Sequence, residues 1–345
     1  MLQQIRKDAP PGQLFLERAH APRLHAGEMR IAPRLVGLCG SDARIFHNHK
    51  DHRPGVFGHE VVAQVTEVGK DVHEFAVGDR VVINPADLED PLKTIGYNGT
   101  GFLTSLFTVA RTVVRQNRVF LVPASIPSRA AVFAEPLACC IHAQTALADR
   151  LRGANVLVIG CGSFGLLHCL LAKRLGAARV RVCAPSRVRL DEAVSRNIVA
   201  RADTFTCTQE DCATEVADVV IVTGNGIAAV QQGLRYVAPE GVLVLFGGLT
   251  MGGRIEGLDV EELRRSGGYL VHTFWGKSVC LSGAYGTSAT DFELSLALLA
   301  ERQLQMEVQQ LVTHVLDFRH VQLALRQLGC GVVFGRPALK LLVEP

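Results

Sequence analysis

The chain has 345 residues, with 36 Lys and Arg against 33 Asp and Glu and a net charge of +3, a length that fits two domains better than one core. Its charges are mixed along the chain, without the basic stripe or aromatic-interleaved basic patch that nucleic acid demands, so a nucleic-acid partner is excluded. No apolar run reaches the roughly 18 residues of a membrane span and the first 14 residues hold no apolar leader core; a small-molecule partner and a cytoplasmic location are expected.

The first third reads as strands and turns. Residues 61–68 mix apolar and polar positions and stop at Gly69, and Val77-Gly-Asp-Arg-Val-Val-Ile83 is a turn followed by a strand. Within the first 140 residues lie residues of metal-ligand type: Cys39 in Gly37-Leu-Cys-Gly-Ser-Asp42, His59 and Glu60 in Gly58-His-Glu60, and Glu135 in Ala134-Glu-Pro136. A thiolate, an imidazole and a carboxylate suit a catalytic zinc, which takes three protein ligands and keeps one position open.

From residue 155 the rhythm changes to short apolar strands at 156–159, 180–183, 219–222 and 242–246 alternating with helical segments, the first over 164–175. This predicts a parallel sheet wound on both faces. Gly160-Cys-Gly-Ser-Phe-Gly165 follows the first of these strands and opens the first helix, the context a dinucleotide fingerprint requires. There Gly160 makes the tight turn, Gly162 lets a pyrophosphate approach the backbone at the helix N-terminus with Ser163 and Phe164, and Gly165 allows close helix–strand packing. Thr223, after the strand 219–222, is counted with these cofactor residues. At the end of the second strand the chain reads Val182-Cys-Ala-Pro-Ser-Arg-Val-Arg189, with no acid to accept from a ribose 2′-OH. Ser186, Arg187 and Arg189 offer a 2′-phosphate hydrogen bonds instead, which predicts NADP(H) over NAD(H).

The tail, from about residue 289, predicts helices over 292–301 and 320–328 and a closing strand over 339–343, and is assigned back to the first domain. The expected domains are 1–138 and 289–345 together, with 139–288 as the cofactor domain. No internal repeat appears. The ten cysteines form no C-x-x-C pair, which fits a reducing compartment; Cys161, Cys169, Cys183, Cys207, Cys212, Cys280 and Cys330 read as small buried hydrophobes.

A nicotinamide enzyme without a Tyr-x-x-x-Lys pair points to a metal, and the segments above, with Glu67-Val-Gly69, Leu311-Val-Thr-His314 and Lys340-Leu-Leu-Val-Glu-Pro345, are similar to those of the zinc-dependent medium-chain alcohol and polyol dehydrogenases. The chain most resembles the sorbitol and threonine dehydrogenase branch, where an acid before Pro, here Glu135, takes the place of a Cys. The resemblance covers essentially the whole chain. It implies an α/β fold made of a GroES-like, β-rich catalytic domain, interrupted by a Rossmann cofactor domain and completed by the tail. It also implies Cys39 and His59 as constant zinc ligands, with Glu60 and Glu135 sharing the remaining positions with water and substrate. Ser41 falls where the family places a hydroxyl that passes on the alcohol proton. The zinc would act as a Lewis acid on the substrate oxygen. The family's assemblies imply a homodimer or homotetramer joined through an edge strand, with residues 278–285 as the counterpart.

Three departures stand out. The four closely spaced cysteines of the structural-zinc lobe are missing, since residues 84–105 hold no Cys, so one catalytic zinc and no structural one is implied. Arg44 stands where many relatives have a His, which puts Arg44 among the catalytic candidates. Ala184 replaces the acid that reads NAD.

The loop Arg44-Ile-Phe-His-Asn-His-Lys-Asp-His-Arg53 reads either as a solvated loop or as an anion or polyhydroxyl pocket in which Arg44, Lys50 or Arg53 grips a phosphate or carboxylate. Phe46, Tyr97, Phe102, Phe107, Phe274 and Trp275 are core or pocket-wall candidates. The expected substrate is a polyol, sugar or cyclitol, or alternatively a phosphorylated keto-sugar of the ribulose-5-phosphate kind. Readings of other classes are a non-catalytic NADPH-binding protein and a zinc-free quinone reductase, both of which the intact metal set disfavours.

Overall fold

The computed structural model describes residues 2–8, 10–50, 55–87, 89–90, 93–207, 216–249 and 252–345. They form two compact units, one of Met1–Pro136 with Ser288–Pro345 and one of Leu137–Thr287.

The first unit is built on a seven-stranded sheet. Met29–Leu38 lies at its centre, flanked by Glu60–Val68 and the last strand, Lys340–Glu344, while Arg80–Ile83 and Val119–Leu121 extend one side and Val312–Asp317 closes the other. Only the pair Val312–Asp317 and Lys340–Glu344 runs parallel. The alternation in Met29–Leu38 turns Met29 and Ile31 into the core with Val61, Ala63 and Val65 of the neighbouring strand, and register shifts along the strand, the last between Pro33 and Leu35, bring Val36 into the same cluster. The register sets Gly37 opposite Glu60 on one side and Leu342 on the other, so the end of the chain lies beside the expected metal residues.

The tail holds three helices where two are expected: Ala289–Leu299, Arg302–Gln310 and Phe318–Leu328. The middle one, Arg-Gln-Leu-Gln-Met-Glu-Val-Gln-Gln, buries only Leu304 and Val308, too narrow a stripe to stand out in the sequence. The first begins earlier than expected because Ser288 and Asp291 form a capping box.

The second unit is a seven-stranded sheet in the order Thr204–Thr206, Arg179–Ala184, Asn155–Ile159, Ala217–Val222, Val237–Leu245, Lys277–Gly283, Tyr269–Phe274, parallel except for the last pair. The strand order reverses at Asn155–Ile159, as in doubly wound nucleotide-binding folds. The strand expected at the edge, 278–285, is paired on both sides; the edge is Tyr269–Phe274. It turns back as a hairpin at Trp275, whose φ is +51°, and Gly276; a bulky aromatic rarely takes the left-handed conformation, so the reversal carries little signal in the sequence.

Phe46, Phe102, Phe107 and Phe274 are core residues and Trp275 is exposed; Phe107 also lines a surface cavity with Thr104 and Arg118. All nine described cysteines are thiols; Cys280 is only half-buried and Cys330, in the turn after Phe318–Leu328, is exposed, whereas Cys161, Cys169, Cys183 and Cys207 are buried as expected. Cys212 lies outside the described residues. No described helix is long and apolar enough to cross a membrane.

Candidate active site

Cys39 is the N-cap of the helix Gly40–Phe46. Its backbone N–H donates to Asp42 Oδ2 at 2.8 Å, so Asp42 fixes the loop that presents the thiol, and Asp42 Oδ1 lies 3.4 Å from His59 Nδ1. A carboxylate behind the imidazole leaves Nε2 as the ligand nitrogen, the outer-shell arrangement common to zinc-binding histidines. Burial favours a neutral His59, but Asp42 and the Cys39 sulfur outweigh it and hold the imidazole well above its ordinary range. Metal binding at Nε2 therefore displaces a proton.

Glu60 opens the strand Glu60–Val68 and is fully buried. Its Oε2 pairs with Lys340 Nζ from the last strand, and its Oε1 is buried without a hydrogen-bond donor. The carboxylate fits because residue 37 is Gly: a Cβ there would stand 1.9 Å from Glu60 Oε2. Burial weakens the Lys340 charge, but Glu60, Cys39 and Glu135 more than restore it and raise its pKa. A buried ammonium shares this corner with three metal-ligand side chains.

Ligand atoms of Cys39, His59 and Glu60 all lie within 4.8 Å of one another, the one such group among the described residues. The buried set of one thiol, one imidazole and one carboxylate, with an orphaned carboxylate oxygen, fits zinc. Glu135 is buried close enough to raise the Lys340 and Tyr97 pKa values, but is not in that three-residue group.

Tyr97 proves to belong to the site. Its hydroxyl lies 3.0 Å from Ser41 Oγ and 3.2 Å from His59 Nε2, and burial, with Cys39, Asp42 and Glu135 nearby, holds the phenol well above its usual pKa. The segment 96–103 runs along 56–58: Gly101 N–H donates to Val56 O, Phe102 N–H to Gly58 O and Leu103 N–H to Phe57 O. Gly96 and Gly101 make this approach possible, since a Cβ at either would stand 2.4 Å or less from the backbone of Gly58 or Phe57. The segment in the place of the cysteine lobe thus carries a tyrosine to the ligand histidine. The buried Arg118 donates to Asn84 O, Pro85 O, Asp87 Oδ2 and Gln116 Oε1 at 2.6–3.2 Å, tying residues 84–87 to the chain before the strand Val119–Leu121. Arg44 does not join the contacts around His59; its guanidinium donates to His49 O at 3.3 Å. Arg53 lies outside the described residues.

In the second unit Gly160 has φ +113°, and a Cβ there would meet Thr223 Oγ1 at 2.5 Å; one on Gly165 would meet Gly160 O at 1.8 Å. Gly162 caps the helix Ser163–Arg174 and faces open space, the room a phosphate needs at a helix N-terminus. Thr223 Oγ1 donates to Ile159 O at 2.9 Å, bracing the turn, while the Phe164 ring lies tilted against Phe246, centroids 5.0 Å apart. Ser186 caps the helix Arg187–Ser195 by accepting from Val188 N–H. Arg189 O accepts from Cys161 Sγ at 3.5 Å, so this helix starts beside the glycine turn. Ser186 and Arg187 are exposed there and Arg189 is half-buried.

Residues 25–123 match the family model of the alcohol dehydrogenase GroES-like domain and residues 120–329 that of the glucose dehydrogenase C-terminus. The chain is 29% identical over 311 residues to a 2-dehydro-3-deoxy-L-galactonate 5-dehydrogenase of Pseudoalteromonas atlantica, covering 84% of each. It is 28% identical over 259 residues to a sorbitol dehydrogenase of Bacillus subtilis, covering 68% of this chain and 72% of the other. A zinc-binding dehydrogenase of Sinorhizobium meliloti bound to NADP shares the fold, with TM-score 0.77, 21% identity and coverage of 100% and 99%. With the glycine turn and the thiol–imidazole–carboxylate corner in one chain, these matches place it: the chain belongs to the zinc-dependent medium-chain alcohol and polyol dehydrogenases and is an NAD(P)-dependent oxidoreductase.

Proposed function

We propose that the protein moves hydride between NADP(H) and the secondary alcohol or ketone of a polyol, sugar or cyclitol, using one zinc per chain. The observation that carries this reading is the convergence of Cys39, His59 and Glu60 within 4.8 Å. When bound, zinc would polarise the substrate oxygen, so that hydride can move without a free alkoxide. Cys39 and His59 would hold the metal, with Asp42 orienting His59, and Glu60 and Glu135 would supply the acid oxygens beside it. Ser41 Oγ, bonded to the Tyr97 hydroxyl, carries the alcohol proton away from the reacting oxygen.

The units serve this chemistry as a catalytic domain of 1–138 with 289–345 and a cofactor domain of 139–288. Gly160, Gly162, Ser163, Phe164 and Gly165 seat the pyrophosphate, and Ser186, Arg187 and Arg189 select NADP(H) where relatives that use NAD have an acid in place of Ala184. The exposed Tyr269, Leu270 and Val271 on the edge strand favour a homodimer or homotetramer. The test is zinc analysis together with kcat/KM for a panel of polyols and ketoses with each cofactor. One zinc per chain and at least a tenfold preference for NADPH are expected; preference for NADH overturns the cofactor assignment, and a metal-free active enzyme overturns the mechanism.

A further inference from the structure

Resting on the reading of the glycine turn as the dinucleotide site, we propose that Glu261 is a positioning residue for hydride transfer. Through the backbone N–H of Leu249 it fixes the loop 246–249, on which the nicotinamide ring of the cofactor rests.

The sheet order decides where the ring goes. The pyrophosphate belongs at the turn after Asn155–Ile159, where the strand order reverses. Ser186 and Arg187 follow the strand Arg179–Ala184 on one side of that point and take the adenosine half. The nicotinamide half therefore lies on the other side, beyond the carboxyl ends of Ala217–Val222 and Val237–Leu245. Two segments leave those ends, 223–226 and 246–249, and they pack backbone against backbone. Gly247 N–H donates to Val222 O at 2.8 Å and Gly226 N–H to Gly248 O at 3.3 Å, and a Cβ on Gly247 would stand 2.1 Å from Gly224 O. Glycine backbone of this kind lets a ligand approach closely.

Both ends of 246–249 are tied down. At the first, the Phe246 ring lies 5.0 Å from that of Phe164 in the glycine turn and edge-on to the buried His168 at 4.5 Å. At the other, Leu249 N–H donates to Glu261 Oε2 at 3.1 Å. Glu261 and Arg264 are both buried in the helix Val260–Arg265. Arg264 donates to both carboxylate oxygens at 2.8 Å, and Arg265 Nε donates to Oε1 at 2.8 Å. The Arg264 guanidinium lies 5.0 Å from the Tyr285 ring, just past the neighbouring strand Lys277–Gly283, so the carboxylate is held from the sheet side as well. A buried ion pair adds little net stability. This one ends on a loop amide, and what it gains is a fixed loop. Hydride transfer needs the ring placed to within about an ångström, and a seat anchored at both ends supplies that.

The test measures binding of two probes to the zinc-loaded protein: NADP+, and 2′-phospho-ADP-ribose, which is NADP+ without the nicotinamide ring. Replacing Glu261→Met together with Arg264→Met removes the latch and leaves neither partner of the buried pair uncompensated. Glu261→Asp keeps a carboxylate for Arg264 but falls short of Leu249 N–H. Arg118→Met, which removes a buried cation from the other unit, controls for lost stability. Calorimetric titration should show NADP+ bound about tenfold more weakly by the double variant and by Glu261→Asp, the loss of one charge-assisted hydrogen bond. Binding of 2′-phospho-ADP-ribose should be unchanged in both, and Arg118→Met should alter neither probe. A merely structural role would weaken the two probes equally, and that result overturns the proposal. So does a Glu261→Asp protein with wild-type affinity for NADP+; this variant decides alone if the double one does not fold. If NAD+ binds and NADP+ does not, NAD+ and ADP-ribose take their places, and only the cofactor preference fails. If neither dinucleotide binds, the cofactor reading fails and the latch falls with it.

Discussion

The metal corner and the nucleotide turn both depend on glycines, but the glycines make room for different things. At Gly37 the missing Cβ admits the Glu60 carboxylate, which Lys340 holds from the other end of the chain. At Gly165 it admits the backbone carbonyl of Gly160, five residues earlier. The corner is an assembly of charged side chains brought in by sheet register, and each partner it loses leaves another buried charge uncompensated. The turn is a local piece of strand, loop and helix that needs no charged side chain and fails only by steric exclusion. One region is held by pairing, the other by shape.

The largest expected effect comes from adding one methyl to each. Gly37→Ala drives a Cβ into the Glu60 carboxylate and pushes it off Lys340, at a cost of about 3–5 kcal/mol in urea unfolding, the range for breaking a buried ion pair, with zinc content falling in parallel. Gly165→Ala prises the helix Ser163–Arg174 from the turn, so NADPH titration should show weaker binding while zinc content holds. A Gly37→Ala protein with full zinc and wild-type stability would break the comparison, as would a Gly165→Ala protein that loses metal.

Arg118 sharpens the distinction between a charge that serves the metal and one that serves the fold. It is buried like Lys340, but its partners are backbone carbonyls, Gln116 and Asp87, away from the thiol and imidazole. Arg118→Met should cost about 3 kcal/mol, because Asp87 Oδ2 loses its cation and Asn84 O and Pro85 O each lose a donor, and should leave the zinc content at its wild-type value. Metal analysis of the folded variant decides the matter: zinc lost in proportion to stability would mean that the two buried cations belong to one structure.

The same contrast explains how far the sequence could be read. The glycine turn was fully legible, because strand, loop and helix are consecutive and their spacing carries the geometry. Cys39, His59 and Glu60 were legible as residue types in short motifs, and even Asp42 had a signal, standing three residues after the N-cap Cys39 in capping-box position. Lys340 stood in one of the family-like segments, but nothing there pointed to Glu60: the link spans 280 positions and depends on where the last strand joins the sheet. Tyr97 looked like a pocket-wall or core aromatic, since only the close approach of Gly96 and Gly101 to 57–58 carries its hydroxyl to His59. The edge strand was misplaced for a related reason, because a hairpin turned through Trp275, without a conventional turn sequence, adds Tyr269–Phe274 outside the strand that looked outermost.

The smallest expected effect divides the two roles of Tyr97. Its hydroxyl is bonded to Ser41 Oγ, whereas its ring packs against the His59 imidazole, centroids 4.8 Å apart. Tyr97→Phe removes the first and keeps the second. Loss of one hydrogen bond, worth about 0.5–1.5 kcal/mol, should lower kcat several-fold, while the ring keeps the imidazole in place and the zinc content holds. Tyr97→Leu removes both and should lower kcat and zinc content together. Because the ring belongs to shape and the hydroxyl to pairing, measuring kcat and zinc content on the two variants tests within one side chain the division that separates the turn from the corner. If Tyr97→Phe loses zinc as completely as Tyr97→Leu, the ring is not what holds the histidine, and the bond to Ser41 is.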